Sequence, residues 1–92
     1  MSFRKLQGVR LPEEKQGLVR YTCLTYREQP KWVREKIDRL CRTCGGEHEE
    51  ALREVMCSRG GVTEIALRHH VSESVLYERR KAFYEAWFKK RK

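Results

Sequence analysis

Proline is scarce in this chain of 92 residues, with two prolines against six glycines. No pair of alternating apolar runs flanks a tight turn, which excludes hairpins and the strand-rich folds built from them. Apolar runs approaching the roughly 20 residues that cross a bilayer are also missing, so no spanning segment is expected. The basic start, Met1 to Arg10, leads into Leu11-Pro12-Glu13-Glu14 instead of an apolar stretch. No secretory signal is therefore expected, and the cytoplasm is the expected compartment. There is no glycine-rich phosphate loop, and His48, His69 and His70 have no Ser or Cys nucleophile in a catalytic context. The length leaves room for one small domain and none for a substrate cleft, so the chain is expected not to be an enzyme and to need no cofactor.

Acidic residues are the minority sign. Lys and Arg number 21 against 13 Asp and Glu, for a formal charge of +8. A surplus of that size points to a polyanionic partner, because clustered cations gain free energy by releasing counterions condensed on nucleic acid. The charge is also polarised. Arg79, Arg80, Lys81, Lys89, Lys90, Arg91 and Lys92 crowd the last stretch against Glu85 alone, whereas Glu47, Glu49, Glu50 and Glu54 gather around Arg53.

The apolar residues recur at helical spacing. Pro12 followed by Glu13 and Glu14 opens a first helix over 12–29, proline lacking an N–H that the first turn does not use. Within it, 18–26 is rich in β-branched and aromatic residues and is a strand on propensity, yet Leu18, Thr22 and Tyr26 keep the spacing of four. Pro30 opens a second helix whose stripe is Val33, Ile37, Leu40, Cys41 and Cys44, ended by Gly45-Gly46. A third helix over 47–58 carries Ala51, Leu52, Val55 and Met56, and Ser58-Arg59-Gly60-Gly61 breaks it. Thr63 is the expected N-cap of a short fourth helix to His69, and Ser72 caps a long fifth helix to about residue 90. The expected fold is all-α, a five-helix single domain: an N-terminal helical region over 1–46, and over 47–92 a tri-helical region with a C-terminal helix-turn-helix and a long recognition helix.

That motif needs a small residue where the second helix crosses the first, a tight turn, an apolar residue after it and an N-cap. Ala66, His69-His70, Val71 and Ser72 fill those places in order, with Ile65, Val71, Val75 and Leu76 holding the crossing. His70 stands where glycine is usual. On the long helix Val75, Leu76, Ala82, Phe83, Ala86 and Trp87 form one arc, the expected core face. Tyr77, Lys81, Tyr84 and Phe88 line the opposite side. The candidate DNA contacts are Ser72, Glu73, Ser74, Tyr77, Glu78, Arg80 and Lys81, with Lys89 and Lys90 as a phosphate clamp. Arg79 projects nearer the core. Tyr84 and Phe88 form either a candidate dimer or partner face, the alternative to DNA binding being a protein-interaction adaptor that uses it, or a surface that packs against the N-terminal helices.

Ile65-Ala66, Val71-Ser72, Leu76-Tyr77 and Arg79-Arg80-Lys81 give residues 62–85 a look that resembles the helix-turn-helix of small phage-encoded late transcription activators of the RinA/ArpU type. The same stretch is similar to the first-frame proteins of insertion-sequence transposases, whose following coiled coil is missing here. Small terminase subunits carry related units. The resemblance covers about a quarter of the chain. It implies double-stranded DNA as partner and a phage or prophage transcriptional regulator, with RNA polymerase as a further partner and a homodimer matched to a symmetric operator.

Four cysteines remain. In a secreted chain they would suggest two disulfides; in a reducing compartment they read as small buried residues. The alternative is zinc: Cys41-Arg42-Thr43-Cys44-Gly45 has knuckle spacing, with His48 and Cys57 to complete four ligands. A second such pair is lacking, and Cys41 and Cys44 extend the apolar stripe of the second helix.

Overall fold

The computed structural model describes residues 11–89, and every regular element in them is helical, with no strand among the described residues. The helices are α1 (Glu13–Leu24), α2 (Lys31–Gly45), α3 (Glu49–Cys57), α4 (Val62–His69) and α5 (Glu73–Trp87). Residues 18–24 are helical, against their strand propensity, because Val19 and Cys23 share the buried face of α1. The first helix stops short of residue 29. Tyr26–Glu28 tighten into a 3-10 turn, and Pro30 pushes Gln29 to an extended φ of −81° and ψ of 151°. Likewise α5 ends at Trp87, with Phe88 as its C-cap, instead of running to residue 90.

One of the two three-residue joints carries the tightest geometry. Gly46 holds φ 56° and ψ −124°, a combination costly for residues with a Cβ, and turns the chain from α2 through the 3-10 turn Gly46–His48 into α3. Beside it Gly45 lies so close to Leu52 that a Cβ would sit 3.3 Å from its Cδ2. α3 consequently packs against α2, and it reaches α1, α4 and α5 as well, making it the centre of the bundle. Ile37, Leu40 and Cys41 of α2, Leu52, Val55 and Met56 of α3, Ile65 of α4, and Leu76, Phe83 and Tyr84 of α5 join Val19 and Cys23 in one buried cluster.

Polar groups fix the edges of that core. The carbonyls at the end of α3 have no basic residue in their own last turn. Arg20 of α1 supplies one, its guanidinium donating to the carbonyls of Val55, of Met56 at 2.9 Å and of Ser58 at 3.0 Å. Asp38 of α2 accepts from the Tyr26 hydroxyl at 2.9 Å and from Arg53 of α3, tying three segments at one carboxylate. Arg53 is held firmly charged, chiefly by its hydrogen bond to Asp38.

Candidate nucleic-acid interface

The α4–α5 joint is three residues long, and two of its backbone N–H groups bond back into α4. His70 sits in the left-handed region at φ 56° and ψ 43°. The Val71 N–H reaches back to the Ala66 carbonyl at 2.9 Å and the His70 N–H to that of Leu67 at 3.3 Å. Those two bonds are the Schellman closure of a helix C-terminus, with Val71 packed against the core beyond it. Ser72 then starts α5, its Oγ accepting the Ser74 N–H at 3.1 Å. At the far end of α4 the cap is Gly61, not Thr63. The helix begins one residue before Thr63, whose hydroxyl donates instead to the Glu73 carboxylate and links the two helix starts. From the other side Glu54 of α3 receives Arg68 and, at 2.7 Å, His69 Nε2. Its carboxyl is held below the usual range, first by His69 and then by Arg68.

This joint presents the start of α5 to solvent. Ser74, Tyr77, Glu78 and Lys81 fall at spacings of three, one and three, and all four are exposed, as are Ser72 and Glu73. Tyr77 retains 46% of its surface. Arg80 is different. It is half-buried with its guanidinium 5.0 Å from the Tyr77 ring centre, and desolvation, then the like charge of Arg20, lowers its pKa. Arg79 is half-buried too, so the two arginines are not divided into one inward and one outward side chain. Lys89 is exposed but lies past the end of α5, and Lys90 falls outside the described residues. The first three turns of α5 set Glu73 and Glu78 against Arg79, Arg80 and Lys81, leaving a single net positive charge.

Two expectations about α5 are corrected. Tyr84 is not on an outward stripe: it is 1% exposed and part of the core, and burial pushes its phenol pKa up. Ala82, expected in the core arc, is exposed. The buried face runs through Leu76, Arg80, Phe83, Tyr84 and Trp87, because α2 and α3 cover most of the helix and Arg20 and Cys23 of α1 lie beside Tyr84. Lys15 of α1 stands 5.1 Å over the half-buried Phe88 ring, so the face proposed for a dimer or an adaptor is largely occupied by the chain's own first helix.

The zinc alternative is corrected as well. Cys41, Cys44, His48 and Cys57 are not brought together, and no group of three or more metal-ligating side chains forms among the described residues. Cys41 is buried, its thiol pushed up to about 12 by desolvation, which opposes the thiolate that zinc requires. Cys44 lines a groove with Leu11, Ala82 and Ala86. Cys57 faces Cys23 across the α1–α3 contact, and all four thiols are free.

No family model, curated protein or solved structure matches this chain. The two most exposed large apolar side chains among the described residues lie outside the exposed face at the start of α5. Leu67 on α4 is 73% exposed and Trp32 on α2 is 70% exposed. Trp32 was legible: it falls outside the Val33–Ile37–Leu40 stripe, so the same periodicity that predicts α2 predicts its exposure. No described helix is long and apolar enough to cross a membrane.

Proposed function

We propose that the chain binds double-stranded DNA through α4 and α5 acting as a helix-turn-helix, with the start of α5 as recognition helix, and that it serves as a phage or prophage transcriptional regulator and not as an enzyme. The observation that carries this is the capped joint at 70–72. A Schellman closure and a serine N-cap fix the angle between the helices while leaving Ser74, Tyr77, Glu78 and Lys81 on one exposed face. A helix entering the major groove uses residues of its first turns for base edges. Tyr77 and Glu78 offer a hydroxyl and an acceptor for such contacts, and Lys81 a phosphate contact. Phosphate binding also draws on the basic residues at 89–92. A homodimer, RNA polymerase as partner and a cytoplasmic setting belong to the same proposal, as does the variant of a terminase or transposase DNA-binding protein. The adaptor alternative is weakened by the burial of Tyr84.

Titration of duplex DNA across a salt series tests it. Binding should weaken steeply with salt, and Lys81→Ala should flatten the log–log slope by about 0.9, the value of one released counterion. Absent or salt-insensitive binding would sink the proposal, and an unchanged slope in the variant would mean that α5 is not the helix in contact.

A further inference from the structure

A second exposed basic helix face lies on α2, away from the start of α5. On α2, Trp32, Glu35, Arg39 and Arg42 follow one another at spacings of three, four and three, and all are exposed. They form a ridge about 15 Å long at a helical rise of roughly 1.5 Å per residue. Glu35 is answered locally by Lys31, 3.9 Å away. Arg39 and Arg42 have no carboxylate partner among the described residues. Lys36 adds to the same side; its ammonium sits 4.1 Å over the Trp87 ring, and desolvation followed by the charge of Arg39 lowers its pKa. A tryptophan left 70% exposed in line with two arginines that lack a carboxylate partner is not explained by packing among the described residues, where no contact covers its ring and no ion pair answers their charges.

We propose that this ridge binds single-stranded nucleic acid, with a base stacked on Trp32 and backbone phosphates held by Arg39 and Arg42. The combination of a flat aromatic face with cations tracking alongside is what an unpaired strand offers partners for: a base surface free to stack and a phosphate at each step. A duplex keeps its bases stacked on one another and gives Trp32 nothing to cover. An acidic protein segment would satisfy the arginines but leaves the indole without a matching surface. The site is separate from the α5 face, and it stands whether or not that face reads duplex DNA.

The probe is an oligothymidylate of about eight nucleotides, followed by tryptophan emission. Trp87 is half-buried against Phe83, with ring centres 6.0 Å apart, so Trp32 is the ring a stacking base reaches. The oligonucleotide should quench emission. Trp32→Ala should abolish the quench and weaken binding about tenfold. Arg39→Ala with Arg42→Ala should flatten the salt slope by about 1.4, at about 0.7 per phosphate on a single strand. Lys81→Ala should change nothing here, whereas it alters duplex binding if α5 is the recognition helix; the two proposals therefore fail separately. All these side chains are exposed, and circular dichroism of each variant confirms that the helices are kept. The inference is overturned if the oligonucleotide leaves emission unchanged, if a duplex of equal length binds as well with the same losses, or if polyglutamate competes as strongly as the oligonucleotide.

Discussion

Two joints of this bundle share a φ of 56° and almost nothing else. At the α2–α3 joint the residue is Gly46, with ψ −124°, and the neighbouring Gly45 is packed against Leu52. At the α4–α5 joint the residue is His70, with ψ 43°, exposed and followed by an exposed serine cap. The first ψ belongs to a region only glycine enters cheaply, the second to the left-handed helical region that histidine tolerates at modest cost. One joint is therefore dictated by backbone sterics and buried packing, the other by hydrogen bonds at the surface. The packed joint organises the core around α3. The hydrogen-bonded one sets an angle while keeping its side chains available, which suits a recognition element.

Breaking the packed joint should cost most. Gly46→Ala forces a Cβ into the mirror-extended region and should destabilise the chain by about 2 kcal/mol, within the range of such backbone strain. The space around Gly46 is open, so the loss measures the backbone alone. Chemical denaturation with an unchanged m value checks it. A loss below about 0.5 kcal/mol would show that the joint relaxes and that the contrast with His70 is smaller than the angles imply.

Ser72→Ala probes the other joint and should cost about 1 kcal/mol, the usual worth of a serine N-cap. It removes the one side-chain bond to the Ser74 N–H while leaving the Schellman closure intact. The same denaturation experiment reads it. A cost equal to that of Gly46→Ala would mean the surface joint is as tightly determined as the core one.

The difference between the joints also explains what could be read in advance. The helices over 30–46 and 47–58, the break at 58–61 and the Ser72 cap were legible because each rests on local chemistry: an apolar stripe, a glycine pair, a hydroxyl before a helix. The rotation of α5 was not. A wheel alone puts Ala82 in the core arc and leaves Tyr84 either outward or packed on the N-terminal helices, because which arc is buried depends on where α1, α2 and α3 pack, and nothing local to residues 73–87 encodes that. Thr63 failed as a cap for a related reason, since its hydroxyl answers Glu73, ten residues on. Of the candidate contacts, Ser74, Tyr77, Glu78 and Lys81 share one exposed face, while Arg80 is half-buried beside the Tyr77 ring.

His70→Gly should move stability the opposite way, raising it by about 0.5–1 kcal/mol, because a left-handed C-terminal position penalises a Cβ and His70 is exposed. For a domain of this size that is a rise of roughly 2–8 °C in Tm. Glycine at 70 makes the two joints chemically alike without making them equal, since only Gly46 needs its ψ of −124°. A loss of stability would mean that the imidazole has a role beyond the turn.

The smallest effect concerns the clamp that braces α4 from behind. Glu54 accepts from Arg68 and His69, and these bonds hold its folded pKa below the ordinary 4.5. A carboxyl whose pKa falls on folding binds its proton more readily when unfolded, so its stabilising contribution is complete above about pH 4.5 and is lost as the pH drops through the lower folded value. The carboxylate is about one-third exposed, which screens the effect and makes it smaller than the loss of the Ser72 cap. Comparing the chain with Glu54→Gln by urea unfolding at pH 7 and again near pH 3 isolates this carboxylate with the His69 and Arg68 it holds, because titrations away from that cluster are common to both proteins. The two should differ at neutral pH and converge in acid. A gap that persists at low pH would assign Glu54 a packing role at the α3–α4 contact in place of an electrostatic one.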